Sequence, residues 1–227
     1  MASTLEAVLR VRHARKETTV NDFRKPTLFP GHMFSIFAGG SDPAETSRIS
    51  HETAHALLSR VRANPDADIL DRLIAYTDEH GIETIAELWS SAPARSLPGA
   101  LWRIYLLRVL IRQDPQSASL IFRRGSEVIP TIDPVIAGAA VPTNVEEITA
   151  LADEILRGIF AGDFGIALDR AAAYCRINAA GCVSFANEEE LIHPERAAEL
   201  TRRGLRYSTL GAELTSCAKL WRAQSLD

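Results

Sequence analysis

Ile148, Leu151, Ala152, Ile155, Leu156 and Ile159 recur at steps of three and four residues, close behind Asn144 and Glu147. Those steps match the roughly 3.6-residue turn of an α-helix and place all six side chains on one face. Asn144 and Glu147 supply the start of that helix. An Asn side chain accepts from the free N–H groups of the first turn, while a Glu three residues later returns the bond. Gly162 then ends the segment. The same period, with its own starts and stops, governs nearly all of the chain after residue 41. A chain written in that period does not encode a sheet, whose strands need alternation at every second residue.

Ser41, Asp42, Pro43, Ala44 and Glu45 open the first helix, with Asp42 as cap, Pro43 in the first turn and Glu45 where a capping-box acid belongs. It is expected to run to about Ala63, where Asn64 and Pro65 break it. Asp66 starts a second helix with Leu70, Leu73, Ile74 and Thr77 on one face, ending at Gly81, so the two form a hairpin. A shorter helix follows over 82–89. The next begins near Ser96, with Pro98 in its first turn and apolar residues on almost every side, as in a helix enclosed by others. Pro115 opens another, which carries Leu120, Ile121 and Phe122 and is expected to end around Gly125.

Pro130, Pro134, Gly138 and Pro142 fall inside the otherwise apolar stretch 129–142, which reads as an ordered connector holding neither a helix nor a central strand. Ile129, Ile132, Val135, Ile136 and Val141 make it too apolar for a free linker, so it should pack between two helical halves. Beyond Gly162 come a helix over 163–180, stopped by Gly181, and two more starting near Pro194 and Ser208. Residues 18–37 alone lack the helical pattern. The expected fold is all-α, an irregular multi-helix bundle of about nine helices with a short non-helical N-terminal segment. Its parts are a basic arm and irregular segment (1–41), a first helical half (42–128), the connector (129–142) and a second helical half (143–227). The helical pairs do not align as a repeat, so a regular array is not expected.

Composition acts as a set of exclusions. With 227 residues, 46% hydrophobic and 24% charged, the chain buries enough surface to fold without disulfides or a structural metal. Collagen-like and disordered classes are excluded. Arg103 and Arg108 interrupt the most apolar stretch, 97–111, which is also shorter than the roughly 18 to 20 residues of a bilayer span, so no membrane partner is expected. Residues 1–16 contain Glu6, Arg10, Arg12, Arg15 and Lys16 and no apolar run for a signal peptide, which points to a cytoplasmic protein. Cys175, Cys182 and Cys217 fit reduced thiols better than a disulfide framework. A net charge of -4 argues against a dedicated nucleic-acid binder. It also conceals six basic and three acidic side chains in the first 25 residues, a net of +3, suited to a solvated arm or to an acidic partner.

The residues that most suggest chemistry are His51, Glu52, Thr53, Ala54 and His55, which spell H-E-x-x-H inside the first helix. Four-residue spacing puts both imidazoles on one face, where they can share a zinc ion while Glu52 acts as general base on metal-bound water. These five residues resemble the zincin metallopeptidase signature. Leu58 and Val61 stand where the extended metzincin pattern requires a glycine and a third histidine, which excludes that subfamily. A third ligand has to come from the next helix. Folding back at Asn64 and Pro65 brings 75–80 opposite, where His80 lies beside the apolar stripe and Glu79 points away from it. His51, His55 and His80 are thus the candidate zinc ligands. The resemblance implies a motif helix beneath a β-sheet, and no sheet is expected here. The two histidines are therefore read first as residues on the margin of a core stripe formed by Ala54, Leu57, Leu58 and Val61.

Glu52 with His55 and Glu190 with His193 share the spacing of di-iron carboxylate bundles, but Pro194 places the second pair at a helix start instead of on a helix face. Cys175 and Cys182, seven residues apart, are too distant along a helix to share a metal. The run 97–107, Leu-Pro-Gly-Ala-Leu-Trp-Arg-Ile-Tyr-Leu-Leu, resembles a stretch of all-helical actinobacterial proteins without an established activity, and the similarity extends over much of 57–182. That resemblance implies a helical fold and transfers no site. The functional expectation is a soluble helical module, without a cofactor, that acts through a protein partner or by self-association. The alternatives are a zinc-dependent hydrolase on His51, Glu52, His55 and His80, and a nucleic-acid-associated protein using the basic N-terminal arm.

Overall fold

Asn144 accepts from the Glu147 N–H at 2.8 Å, and a Glu147 carboxylate oxygen accepts from the Asn144 N–H at 3.1 Å, closing the expected capping box. Behind it runs one of seven helices found in a computed structural model that describes residues 42–63, 88–138 and 144–227. They are α1 (Pro43–Ala63), α2 (Leu97–Gln113), α3 (Pro115–Val128), α4 (Asp133–Ala137), α5 (Val145–Ala161), α6 (Phe164–Glu189) and α7 (Pro194–Arg222). A helical turn at 88–90 makes eight helical pieces among the described residues, and no strand occurs there, so the all-α class holds. The starts read at Asp42, near Ser96 and at Asp163 hold, and Asp114 caps the helix that Pro115 opens. Asp42 accepts from Ala44 N–H at 3.0 Å, Ser96 from Gly99 N–H at 3.2 Å and Asp114 from Ser117 N–H at 3.1 Å. Asp163 accepts from the N–H groups of Gly165 and Ile166 at 2.7 and 3.2 Å. The helix expected over 66–80 lies outside the described residues.

Three expectations need correction. The connector does hold a helix, α4, because Pro134 supplies a preset φ in its first turn and Gly138, at φ 81, ends it in the left-handed region. Gly125 and Gly181 do not end α3 and α6. A Cβ on Gly125 would stand 1.9 Å from the Ile177 carbonyl oxygen and one on Gly181 2.1 Å from that of Ile121, so the paired glycines let two helix backbones cross in contact. The two helices expected from Pro194 and Ser208 are one, α7, continuous for 29 residues along α6. Glycine read locally as a breaker serves here as a packing residue.

α6 is the axis, packing against α2, α3, α4, α5 and α7. Its Tyr174 ring stacks on Phe122 of α3 at 5.4 Å between centroids, and Phe164 meets Trp221 of α7 edge-on at 4.8 Å. The charges that interrupt the apolar stretch of α2 join helices. Arg108, 2% exposed, reaches Asp153 of α5 at 2.6 Å, and Arg103 reaches Glu213 of α7 at 2.7 Å. Arg176 of α6 holds buried Asp133 of α4 at 2.5 Å. Cys175, Cys182 and Cys217 are buried free thiols, and burial pushes the Cys217 thiol up to about 11. No helix among the described residues is long and apolar enough to cross a membrane.

Candidate functional site

α1 turns Ala54 and Leu58 into the core, with Leu57 half-buried beside them. His51 lies half-buried on the margin of that stripe and His55 is exposed. Nδ1 of His51 sits 2.7 Å from the Ser47 carbonyl oxygen, which only accepts, so the proton is on Nδ1 and Nε2 is the nitrogen left for a ligand. Glu52 pairs with Arg48 at 2.7 Å on the solvent side. His55 borders a cavity of about 490 Å³ with Asp163, Trp221, Arg222 and Asp227, where the Asp163 carboxylate is already engaged as the cap of α6. His80 lies outside the described residues. Among the described residues no three His, Cys, Asp or Glu side chains gather closely enough to hold a metal ion, so a zinc centre here needs a ligand from elsewhere in the chain. Glu190 and His193 occupy the turn between α6 and α7, where His193 Nδ1 meets Glu189 at 2.7 Å.

A second cavity, about 490 Å³, separates α2 from α7. Trp102, Leu106 and Leu210 give it an apolar floor, while Arg203, Arg206 and Glu199 bring charges of both signs to its lining. Asp114 also lines it, and hydrogen bonds from Ser117, aided by Arg203, hold its carboxyl below the usual range. No single ligand charge matches that lining.

The outer face of the α6–α7 hairpin differs from both. The inner face of α7 buries Ala197, Gly204, Tyr207, Gly211 and Leu214. One flank of α7 exposes Ala198, Thr201, Leu205, Ser208 and Ala212 at steps of three and four residues, with no charge among them, while Glu195, Arg202 and Arg206 occupy the face opposite the buried residues. Beside this stripe α6 presents Ala180, Val183 and Asn187, and α3 ends in Val128. Together they border a groove of about 630 Å³ in which no lining residue is charged, in a chain that is 24% charged. Three large apolar side chains stand open to solvent there: Leu205 at 67%, Val183 at 47% and Val128 at 43%. Small residues, Ala179, Ala180, Gly204 and Ser208, line the groove between them. Arg124 supplies a polar rim, donating to Ser184 Oγ at 2.8 Å and pairing with Glu188. At the hairpin tip Leu191 and Ile192 are 96% and 72% exposed.

An uncharged apolar centre with a charged rim is the anatomy of a docking surface, and contiguous exposed apolar groups mark such sites. Sequence reading missed this face because it divided α7 at Ser208, which cut the five-residue stripe in two. The signal was present in the spacing 198, 201, 205, 208, 212. Comparison with protein-family models, curated proteins and solved structures finds no match.

Proposed function

We propose that the protein is a non-enzymatic interaction module and that the outer face of α6 and α7 is where it docks. The observation that carries this reading is the uncharged groove bordered by Val128, Val183 and Leu205, three large apolar side chains exposed around one cavity. Exposing such groups side by side costs solvation free energy at roughly 25 cal/mol per Å² of apolar surface, which a docked partner recovers. The hairpin is a suitable platform, because the Gly125–Gly181 crossing holds α6 against α3 and the Arg103–Glu213 pair ties α7 to α2, neither using this face. A photoreactive residue in place of Leu205 tests the reading in the cells that produce the protein. A discrete cross-linked adduct is expected from position 205 and none from Glu146, an exposed charged position on α5. No adduct at 205, or equal adducts at both positions, rejects it.

A further inference from the structure

We infer that the cavity between α2 and α7 is a binding site for a small zwitterion with an apolar body, of the class of the aromatic α-amino acids. The site lies on the flank of α7 opposite the uncharged stripe and does not depend on the docking face. Its volume of about 490 Å³ falls in the range of small-molecule sites, which are mostly apolar with a few placed polar groups. Trp102 and Leu106 of α2, both half-buried, and Leu210 of α7 supply the apolar part. An aromatic ring finds there a second ring to pack on and aliphatic groups beside it.

The charges of the lining select the rest of the ligand. Arg103 is taken by Glu213 at 2.7 Å, and the Asp114 carboxylate accepts from the Ser117 N–H at 3.1 Å as the cap of α3. Glu199, Arg203 and Arg206 remain, and none of them has an ion-pair partner among the described residues. Glu199 and Arg203 stand one turn apart in the order that favours pairing on a helix, yet they do not pair with each other. Arg203 is half-buried instead, its guanidinium held over the Tyr207 ring at 5.8 Å from the centroid. One turn is about 6 Å of helix rise, a gap that two long side chains close on an ammonium and a carboxylate carried by the same carbon. Such a ligand gives Glu199 a cation and the two guanidiniums an anion. A plain anion would face Glu199 and a plain cation would face Arg203 and Arg206, and like charges brought together reject a ligand.

The test is calorimetric titration of the purified full chain with phenylalanine, tyrosine and tryptophan, and with two truncated probes, 3-phenylpropionate without the amine and phenethylamine without the carboxylate. At least one of the amino acids should bind. Phenylalanine should bind roughly tenfold or more tightly than either truncated probe, as expected for the loss of one hydrogen bond between charged groups. Arg203→Gln should weaken phenylalanine and 3-phenylpropionate by a similar factor and spare phenethylamine. Glu199→Gln should weaken phenylalanine and phenethylamine and spare 3-phenylpropionate. Glu199 is exposed, so its replacement leaves the fold intact, which circular dichroism checks. No heat from any of the three amino acids at millimolar concentration overturns the inference. So does binding that both substitutions leave unchanged, or a truncated probe that binds as tightly as phenylalanine.

Discussion

Gly181→Ala is the sharpest test of how the core is assembled. The added methyl would lie 2.1 Å from the Ile121 carbonyl oxygen and 3.0 Å from the Gly125 nitrogen. Ordinary non-bonded contact needs about 3.5 Å, so α3 has to retreat by roughly 1.4 Å. The obstacle is main chain, which has no rotamer to change. Retreat loosens Ala118, Ile121 and Phe122, all buried between α3 and α6. Overpacking of this kind costs about 1 to 3 kcal/mol, and a backbone clash belongs at the upper end. The better helix propensity of alanine returns about 1 kcal/mol, leaving a net loss of about 2 kcal/mol. For a chain of this length that lowers Tm by roughly 4 to 8 °C. Gly158→Ala in α5 is the control, since its methyl would meet nothing nearer than the Ala167 Cβ at 3.4 Å, and it should raise stability by up to about 1 kcal/mol. Thermal and urea unfolding followed by circular dichroism read both. A Gly181→Ala protein as stable as the parent would refute the close crossing.

Asp153→Ala takes from buried Arg108 the carboxylate 2.6 Å away and should cost about 3 to 5 kcal/mol in urea unfolding, much of it recovered when Arg108→Met is added. Recovery absent in the double variant would mean that packing, not charge, is at stake. Asp114→Asn addresses pH. Hydrogen bonds from Ser117 depress the Asp114 carboxyl in the folded state, so its contribution is complete above the unfolded-state value and lost as pH falls through the folded-state value. Asparagine caps equally well without a charge, so the variant should lose less stability than the parent on acidification below the ordinary carboxylate range. Identical acid limbs for the two proteins would count against this role.

What the sequence reveals and what it hides follow from the range of the forces involved. Caps are local, and the starts read at Asn144 with Glu147, near Ser96, at Pro115 and at Asp163 all hold. A stop is less legible. Gly125 and Gly181 have the same intrinsic conformational freedom as Gly138 and Gly162, which do end helices, but they continue α3 and α6 because each removes a Cβ from a crossing 52 or more residues away in sequence. α7 runs past Ser208 because α6 supports its inner face along most of its length. The histidine pair was legible as spacing, yet what His55 faces depends on Asp163 at the start of α6 and on Trp221 and Arg222 of α7, far away in sequence. The exposed stripe was hidden by the same error that divided α7, since its register exists only if the helix is continuous.

The central claim is that this bundle works by docking through the outer face of α6 and α7. The most direct measurement compares photo-cross-linking from position 205 with that from position 146 in the producing cells. The account predicts one discrete adduct from 205 and background from 146. Background at both positions, with the protein folded and present at normal levels, would contradict it.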